Sequence, residues 1–275
     1  MGLETTIKRA IRLAALVPLL RPAIVACYEL TPYGAGWRRE HPYDRAHGVR
    51  TSGALPGFVL QPGDPVDFPT TSYVPAQPSI IRTALAAIPE PQHCHFLDLG
   101  CGKGRPLLIA TEFAFPTITG VELFPALANI ARQNSAVFSR KYPNRTRINI
   151  ITGDALAHPL PRENLVIFLY NPFGQELIAQ LLDNVEASLC ASPRDLYIVY
   201  YNPTWADVFD VSTSLERRYA AQLPYDPSEI GYGPHESDAV VIWQNRGNPH
   251  PRPPGNPSNP ITILSPGWRA VITAT

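Results

Sequence analysis

The sequence predicts an α/β fold of Rossmann-like type: a mostly parallel seven-stranded sheet with helices on both faces, an antiparallel edge, and an N-terminal irregular and helical extension. Three observations predict it. Short apolar runs alternate with helix-period segments between residues 95 and 202, the pattern of parallel strands joined by right-handed crossover helices. One of these runs, Leu165–Tyr170, is apolar throughout, as strands buried on both faces are. The first run ends in an acid and opens directly into glycines, in FLDLGCGKGR, residues 96–105.

The elements follow in order. Ser79–Ile88 begins the helical pattern, and His95–Leu99 reads as the first buried strand. Arg105–Phe113 reads as a helix that tolerates Pro106 in its first turn. Thr117–Glu122 is a strand, and Pro125–Asn134 a helix with Leu127, Ile130 and Ala131 on one face. Arg147–Asp154 and Leu165–Tyr170 are the next strands. Gly174–Leu189 is the clearest helix, because Leu177, Ile178, Leu181, Leu182, Val185 and Leu189 form one core-facing stripe. Leu196–Asn202 is a fifth strand. Ser212–Leu223 and Asp238–Asn245 follow with no strong helix between them, which suits an antiparallel pair at the sheet edge.

This order divides the chain into an extension over residues 1–85 that covers the site, a core over 86–245, and a tail over 246–275. Residues 31–80 carry eight prolines and little periodicity, as binding loops often do. Six prolines fall in residues 246–260, which marks a linker. The final residues, 261–275, are β-prone without an evident partner.

Lys plus Arg and Asp plus Glu are 23 each, so no strong nucleic-acid footprint shows in the overall charge. The four cysteines are scattered, with no C-x-x-C pair, which suits a reducing compartment and argues against structural zinc. His93-Cys94-His95 reads as the lead-in to a strand rather than a metal site, because adjacent strand residues point to opposite faces. Residues 7–28 are apolar but broken by Lys8, Arg9, Arg12, Pro18, Arg21 and Pro22. Their longest uncharged run, Leu13–Leu20, falls short of the roughly 20 residues of a span. The segment reads as a helix packed on the domain or as a peripheral membrane contact. The expected location is cytoplasmic, with the membrane periphery as the alternative.

The glycines lie between the first strand and its helix, where ligands of open α/β sheets bind. A triphosphate loop would need G-x-x-x-x-G-K-[ST], but Leu97 and Gly104 break it at both ends. A dinucleotide fingerprint would need a third glycine where Arg105 stands, which weakens an NAD-dependent oxidoreductase without excluding it. The remaining pattern is Asp98, Gly100, Gly102, Gly104. A carboxylate there would repel a pyrophosphate and suits a cationic ligand. S-adenosylmethionine, with an ammonium and a sulfonium, is such a ligand. Glu122 ends the second strand, where a carboxylate accepts from ribose hydroxyls. Asp154 with small Ala155 ends the third, where an acid suits the adenine amine.

FLDLGCGKGR, GVELFPALANIARQN, TGDALAHPLP and FLYNPFG together resemble the successive motifs of class I S-adenosylmethionine-dependent methyltransferases, over about residues 90–202. The resemblance implies that Asp98, Gly100, Cys101, Gly102 and Gly104 line the methionine part of the cofactor. By it Glu122 and Leu123 take the ribose, Asp154 and Ala155 the adenine, and Tyr73 folds over from the preceding segment. It implies no metal. Asn171, Pro172 and Phe173 partly match the [DN]-P-P-[FYW] motif of amino-methylating relatives, with Phe173 in place of the second proline. The implied reaction is methyl transfer to an acceptor of unknown identity, leaning to a nitrogen nucleophile in a protein lysine or another amine. Asn202, in a second Tyr-Asn-Pro, is a further candidate polar contact. Arg105 is expected to meet the cofactor's carboxylate or an acid on its own helix. A non-catalytic S-adenosylmethionine-binding protein is the remaining alternative.

Overall fold

The computed structural model describes residues 39–55, 73–233 and 235–251, together with 17, 19–29, 60, 253, 256–265 and 268–272. Five parallel strands form most of one seven-stranded sheet: β1 (His95–Leu99), β2 (Thr117–Glu122), β3 (Ile148–Thr152), β4 (Leu165–Tyr170) and β5 (Leu196–Tyr201). The last two, β6 (Leu215–Pro224) and β7 (Ser237–Asn245), run antiparallel to each other, and β7 runs antiparallel to β5. The order is β3-β2-β1-β4-β5-β7-β6, as the fold class read from the sequence requires.

Alternation along the central strands feeds two cores. Phe96, Val166, Phe168, Tyr197 and Val199 enter one, and Leu97, Leu165, Ile167, Ile198 and Tyr200 the other. Helices α1 (Arg21–Glu29) and α2 (Pro42–His47) precede α3 (Pro78–Ala86), α4 (Arg105–Ala110) and α5 (Pro125–Lys141). The last three bury Ile80, Ile81, Leu85, Leu107 and Phe138 in the first core. The second core is closed by α6 (Gln175–Ala191) and α7 (Ala206–Asp210) through Ile178, Leu181, Val185 and Phe209. The β-prone end pairs as an antiparallel hairpin, β8 (Ile261–Ser265) with β9 (Trp268–Ile272), and Ile261 and Ile263 join the second core.

Boundaries differ from the sequence reading by a few residues. The helix begun at Pro125 runs on to Lys141, and the one after Arg105 ends in a 3-10 turn over Thr111–Phe113. His93 ends a short 3-10 turn, Cys94 is buried, and the ring of His95 meets Thr119 Oγ1 at 2.9 Å. Residues 41–53 are less irregular than their composition suggests. His41 caps α2 by accepting from the Tyr43 N–H, Pro42 sits in its first turn, and Gly48 closes it in the left-handed region. No helix of the described residues is long and apolar enough to cross a membrane. Lys8, Arg9 and Arg12 lie outside the described residues.

Gly120 is paired with Asp98 across the β1–β2 ladder. A Cβ there would stand 2.5 Å from Leu107 Cδ1 and 2.8 Å from Cys101 Sγ, so the strand and the glycine loop approach each other only because this side chain is absent. Gly120→Ala is expected to destabilise the protein by about 1–3 kcal/mol through overpacking, read as a lowered urea midpoint at unchanged slope.

Candidate active site

The strand order reverses between β1 and β4, and a cleft opens beyond the carboxyl ends of these strands. Its floor is the turn after β1. Gly100, Gly102 and Gly104 all take positive φ (83°, 56° and 87°). At Gly102 the requirement is also one of space, since a Cβ would lie 2.4 Å from the Tyr73 ring.

Glu122, at the end of β2, is buried and ties this turn down. Its Oε2 accepts from the Gly102 N–H at 2.7 Å and its Oε1 from the Phe124 N–H at 2.9 Å. Burial raises its pKa, and the backbone donors oppose the rise. The Leu123 N–H also bonds to this side chain, and a carboxylate has about four acceptor positions, so it can hold the loop and still accept from a ligand. Asp98 stands one residue before the end of β1 with 2% of its surface exposed. Its Oδ2 is buried and finds no hydrogen-bond partner among the described residues. Burial, then the negative charge of Glu122, holds its pKa well above the ordinary carboxylate range. Asp154, after β3, uses Oδ1 to accept from the Leu156 N–H at 2.9 Å, and Ala155 is buried beside it.

The cleft is lined by Tyr73, Asp98, Gly100, Cys101, Gly102, Glu122, Leu123, Asp154, Ala155, Pro172 and Phe173, so these candidates read from the sequence share one cavity. Gly104 and Asn171 do not line it. Gly104 stands at the start of α4, its N–H donating to the Cys101 carbonyl. Asn171 has a left-handed backbone (φ 43°), and its Oδ1 accepts from the Tyr200 hydroxyl at 3.0 Å and the Thr204 N–H at 3.4 Å.

Two expectations are corrected. Asn202 does not offer a polar contact to the cleft. Its Nδ2 donates to Asp238 at 2.8 Å and its Oδ1 accepts from the Ala239 N–H at 2.9 Å, which ties β5 to β7. Arg105 does line the cleft, and of its two expected partners the acid on its own helix is the one overturned. Its Nε donates to Thr51 Oγ1 at 2.6 Å, its Nη1 to the Ala76 carbonyl at 3.0 Å, and its Nη2 reaches Asp44 Oδ1 at 3.4 Å. Sequence reasoning missed this segment. A six-residue helix shows no period, and only the Pro42 and Gly48 punctuation betrays it. It also missed Phe124, Tyr170 and Val74 as lining residues, while Leu127, read as core, lines the cleft from α5.

No family model matches the chain, and no curated protein matches it. Solved structures do. The chain is similar to an RNA methyltransferase from Salinibacter ruber in complex with S-adenosyl-L-homocysteine, at 18% identity and a TM-score of 0.41, over 68% of this chain and 98% of that one. It is similar to the 23S rRNA methyltransferase ErmE at 17% identity and a TM-score of 0.42, over 66% and 72% of the two chains. It is also similar to the magnesium protoporphyrin IX methyltransferase ChlM from Synechocystis PCC 6803 with bound SAM, at 12% identity and a TM-score of 0.44, over 62% and 77%. The chemistry of the site is carried by the chain's own side chains.

Those side chains fit a ligand that brings positive charge and hydrogen-bond donors. An unpaired buried carboxylate oxygen faces a glycine floor, and two more acids follow at the next strand ends. A carboxyl whose folded pKa is raised contributes stability below its unfolded pKa and loses it as pH rises through the folded value. Asp98→Asn, which removes the charge and keeps the shape, is therefore expected to stabilise the ligand-free protein at pH 8 by about 1–3 kcal/mol and to change little at pH 4. Urea unfolding at the two pH values checks this, and lower stability at pH 8 would mean that the carboxylate is compensated.

Proposed function

We propose that this chain is an S-adenosylmethionine-dependent methyltransferase. The observation that carries the reading is the placement of Asp98, Glu122 and Asp154 at three successive strand ends around one cavity, with Asp98 Oδ2 unpaired. Asp98 takes the ammonium end of the cofactor, Glu122 its ribose hydroxyls, and Asp154 with Ala155 its adenine. Tyr73 covers the glycine floor. When bound, the cofactor supplies a methyl group already activated on a sulfonium, so the chain's task is alignment and exclusion of water.

The acceptor we propose is a nitrogen nucleophile, in a protein lysine or another amine. Pro172 and Phe173 line the cleft at the end of β4, and Asn171 stands directly before them. Asn171 does not line the ligand-free cleft, so in this reading it would turn to an incoming amine by giving up the 3.4 Å contact from the Thr204 N–H on its Oδ1. The amine must be neutral to attack, so its proton leaves before or during transfer. Peripheral membrane contact through residues 7–28 stays within this reading, because Val17, Leu19 and Leu20 are exposed.

Calorimetry is expected to show micromolar binding of S-adenosylmethionine, tightening as pH rises through the Asp98 pKa and releasing a proton on binding. Binding of NAD without S-adenosylmethionine would overturn the assignment. Label from the cofactor is then followed into the protein, RNA and small-molecule fractions of a cell extract. Entry into RNA or at oxygen would refute the amine acceptor alone. Asn171→Gly, which suits the left-handed backbone, is expected to cut turnover by about 100-fold or more, equivalent to about 3 kcal/mol, while cofactor affinity stays within about threefold.

A further inference from the structure

Thr51 is fully buried and does not line the cleft, yet each of its polar atoms is engaged by residues around the cofactor site. Its N–H donates to Asp44 Oδ2 at 2.6 Å, and its hydroxyl donates to Asp44 Oδ1. The same hydroxyl oxygen accepts from Arg105 Nε at 2.6 Å. Its carbonyl accepts from the Tyr73 hydroxyl at 2.6 Å. Arg105 is the first residue of α4 after the glycine turn, and the Tyr73 ring stands over Gly102 within it. One threonine therefore joins the far end of the glycine turn to the ring that covers its middle.

From this linkage we infer that Thr51 is a positioning residue of the cofactor site, acting through Arg105 and Tyr73. The inference rests on the proposed cofactor. With its Nε fixed by Thr51, Arg105 turns Nη1 to the Ala76 carbonyl, and Ala76 is itself part of the cleft wall. With its hydroxyl fixed by the Thr51 carbonyl, Tyr73 keeps its ring against Gly102. Asp44, buried beside Thr51, holds the assembly in place by also accepting from the Ser52 N–H at 2.6 Å and the Ser52 hydroxyl at 2.7 Å.

The same segment has anchors independent of the Thr51 hydroxyl. Asn134 Oδ1 accepts from the Arg50 N–H at 2.8 Å, and its Nδ2 donates to the Arg50 carbonyl at 3.1 Å and the Lys103 carbonyl at 2.9 Å. Lys103 Nζ donates to the carbonyls of Ser52 and Gly53 and sits 4.8 Å from the centre of the Tyr73 ring. Loss of one hydroxyl is therefore expected to loosen the alignment without releasing the segment.

The test compares full-length wild type, Thr51→Val, Thr51→Ser and Tyr73→Phe by calorimetry with S-adenosylmethionine, at a temperature where thermal scans show each fully folded. Valine keeps the shape of threonine and removes the hydroxyl that Arg105 and Asp44 share. The expected result is a rise in Kd of about tenfold or more for Thr51→Val, from hydrogen bonds to charged groups, with Thr51→Ser restored to within about twofold. Tyr73→Phe is expected to weaken binding several-fold in the same direction. With labelled cofactor, turnover at saturating concentration is expected to stay within about threefold of wild type in Thr51→Val. Unchanged affinity in both Thr51→Val and Tyr73→Phe, whatever happens to the melting temperature, would overturn the inference and leave the proposed function standing. Wild type that fails to bind S-adenosylmethionine would overturn both. Should Thr51→Val not fold, Tyr73→Phe alone decides the linkage, and wild-type affinity in it refutes the positioning role.

Discussion

A carboxylate buried next to the end of β1, with one oxygen left unpaired, is the constraint around which this site is arranged. Removing a charge from water without a partner is expensive, and the ligand-free protein meets the expense by favouring the protonated acid. Nothing in the packing of β1 demands an acid there, since Leu97 and Leu99 beside it are ordinary core residues. The acid becomes intelligible when a cation completes it. The glycine turn follows from the same demand, because a ligand reaching Asp98 must lie against backbone that carries no side chain. Stability is given up at this point and recovered in two cores that are continuous on either face of the sheet.

The nearest way to relieve Asp98 would be a cation from the protein itself, and Arg105 lines the same cleft. The structure prevents this. Asp44, Thr51 and Ala76 hold the guanidinium, which is only 1% exposed, while burial and the negative charge of Glu122 raise the pKa of Asp98. A buried ion pair adds little net stability, though removing one partner leaves a costly unpaired charge. Here the Asp44–Arg105 pair keeps one positive charge neutralised at the edge of a cleft that Asp98, Glu122 and Asp154 line. The segment before the core is thus part of the site's electrostatics as well as its wall.

Local pattern carried the sheet well. Leu165–Tyr170 and Thr117–Glu122 stand where their apolar runs placed them, and the stripe became a helix with Ile178, Leu181, Leu182 and Val185 in the core, while Leu177, expected in the core, lines the cleft. The acids near the strand ends were legible for the same reason, because the carboxyl end of a strand in a parallel sheet brings nearby side chains to the cleft. Asp44 and Thr51 were not legible. Their partner Arg105 lies more than fifty residues away, and no periodicity reports a contact that two folded segments create only by meeting. The hairpin β8–β9 was equally hidden, since its place depends on an exposed face of the second core rather than on its own composition.

The twin Tyr-Asn-Pro turns show most directly why local sequence cannot assign a role. Asn171 and Asn202 follow adjacent parallel strands and adopt nearly the same backbone, φ 43° and 46°. What separates them is position in the sheet. The turn after β4 borders the point where strand order reverses, so close to the β1 turn that a Cβ on Gly100 would stand 2.7 Å from Pro172. The turn after β5 is one strand further out and meets β7, which runs antiparallel and presents Asp238 to it. Tyr201 and Tyr225 donate to that same carboxylate, so it is satisfied within the protein, unlike Asp98. Two buried acids of one sheet thus take opposite parts. The one on β7 is closed by hydrogen bonds and ties neighbouring segments together, and the one at the reversal point keeps an oxygen without a partner among the described residues.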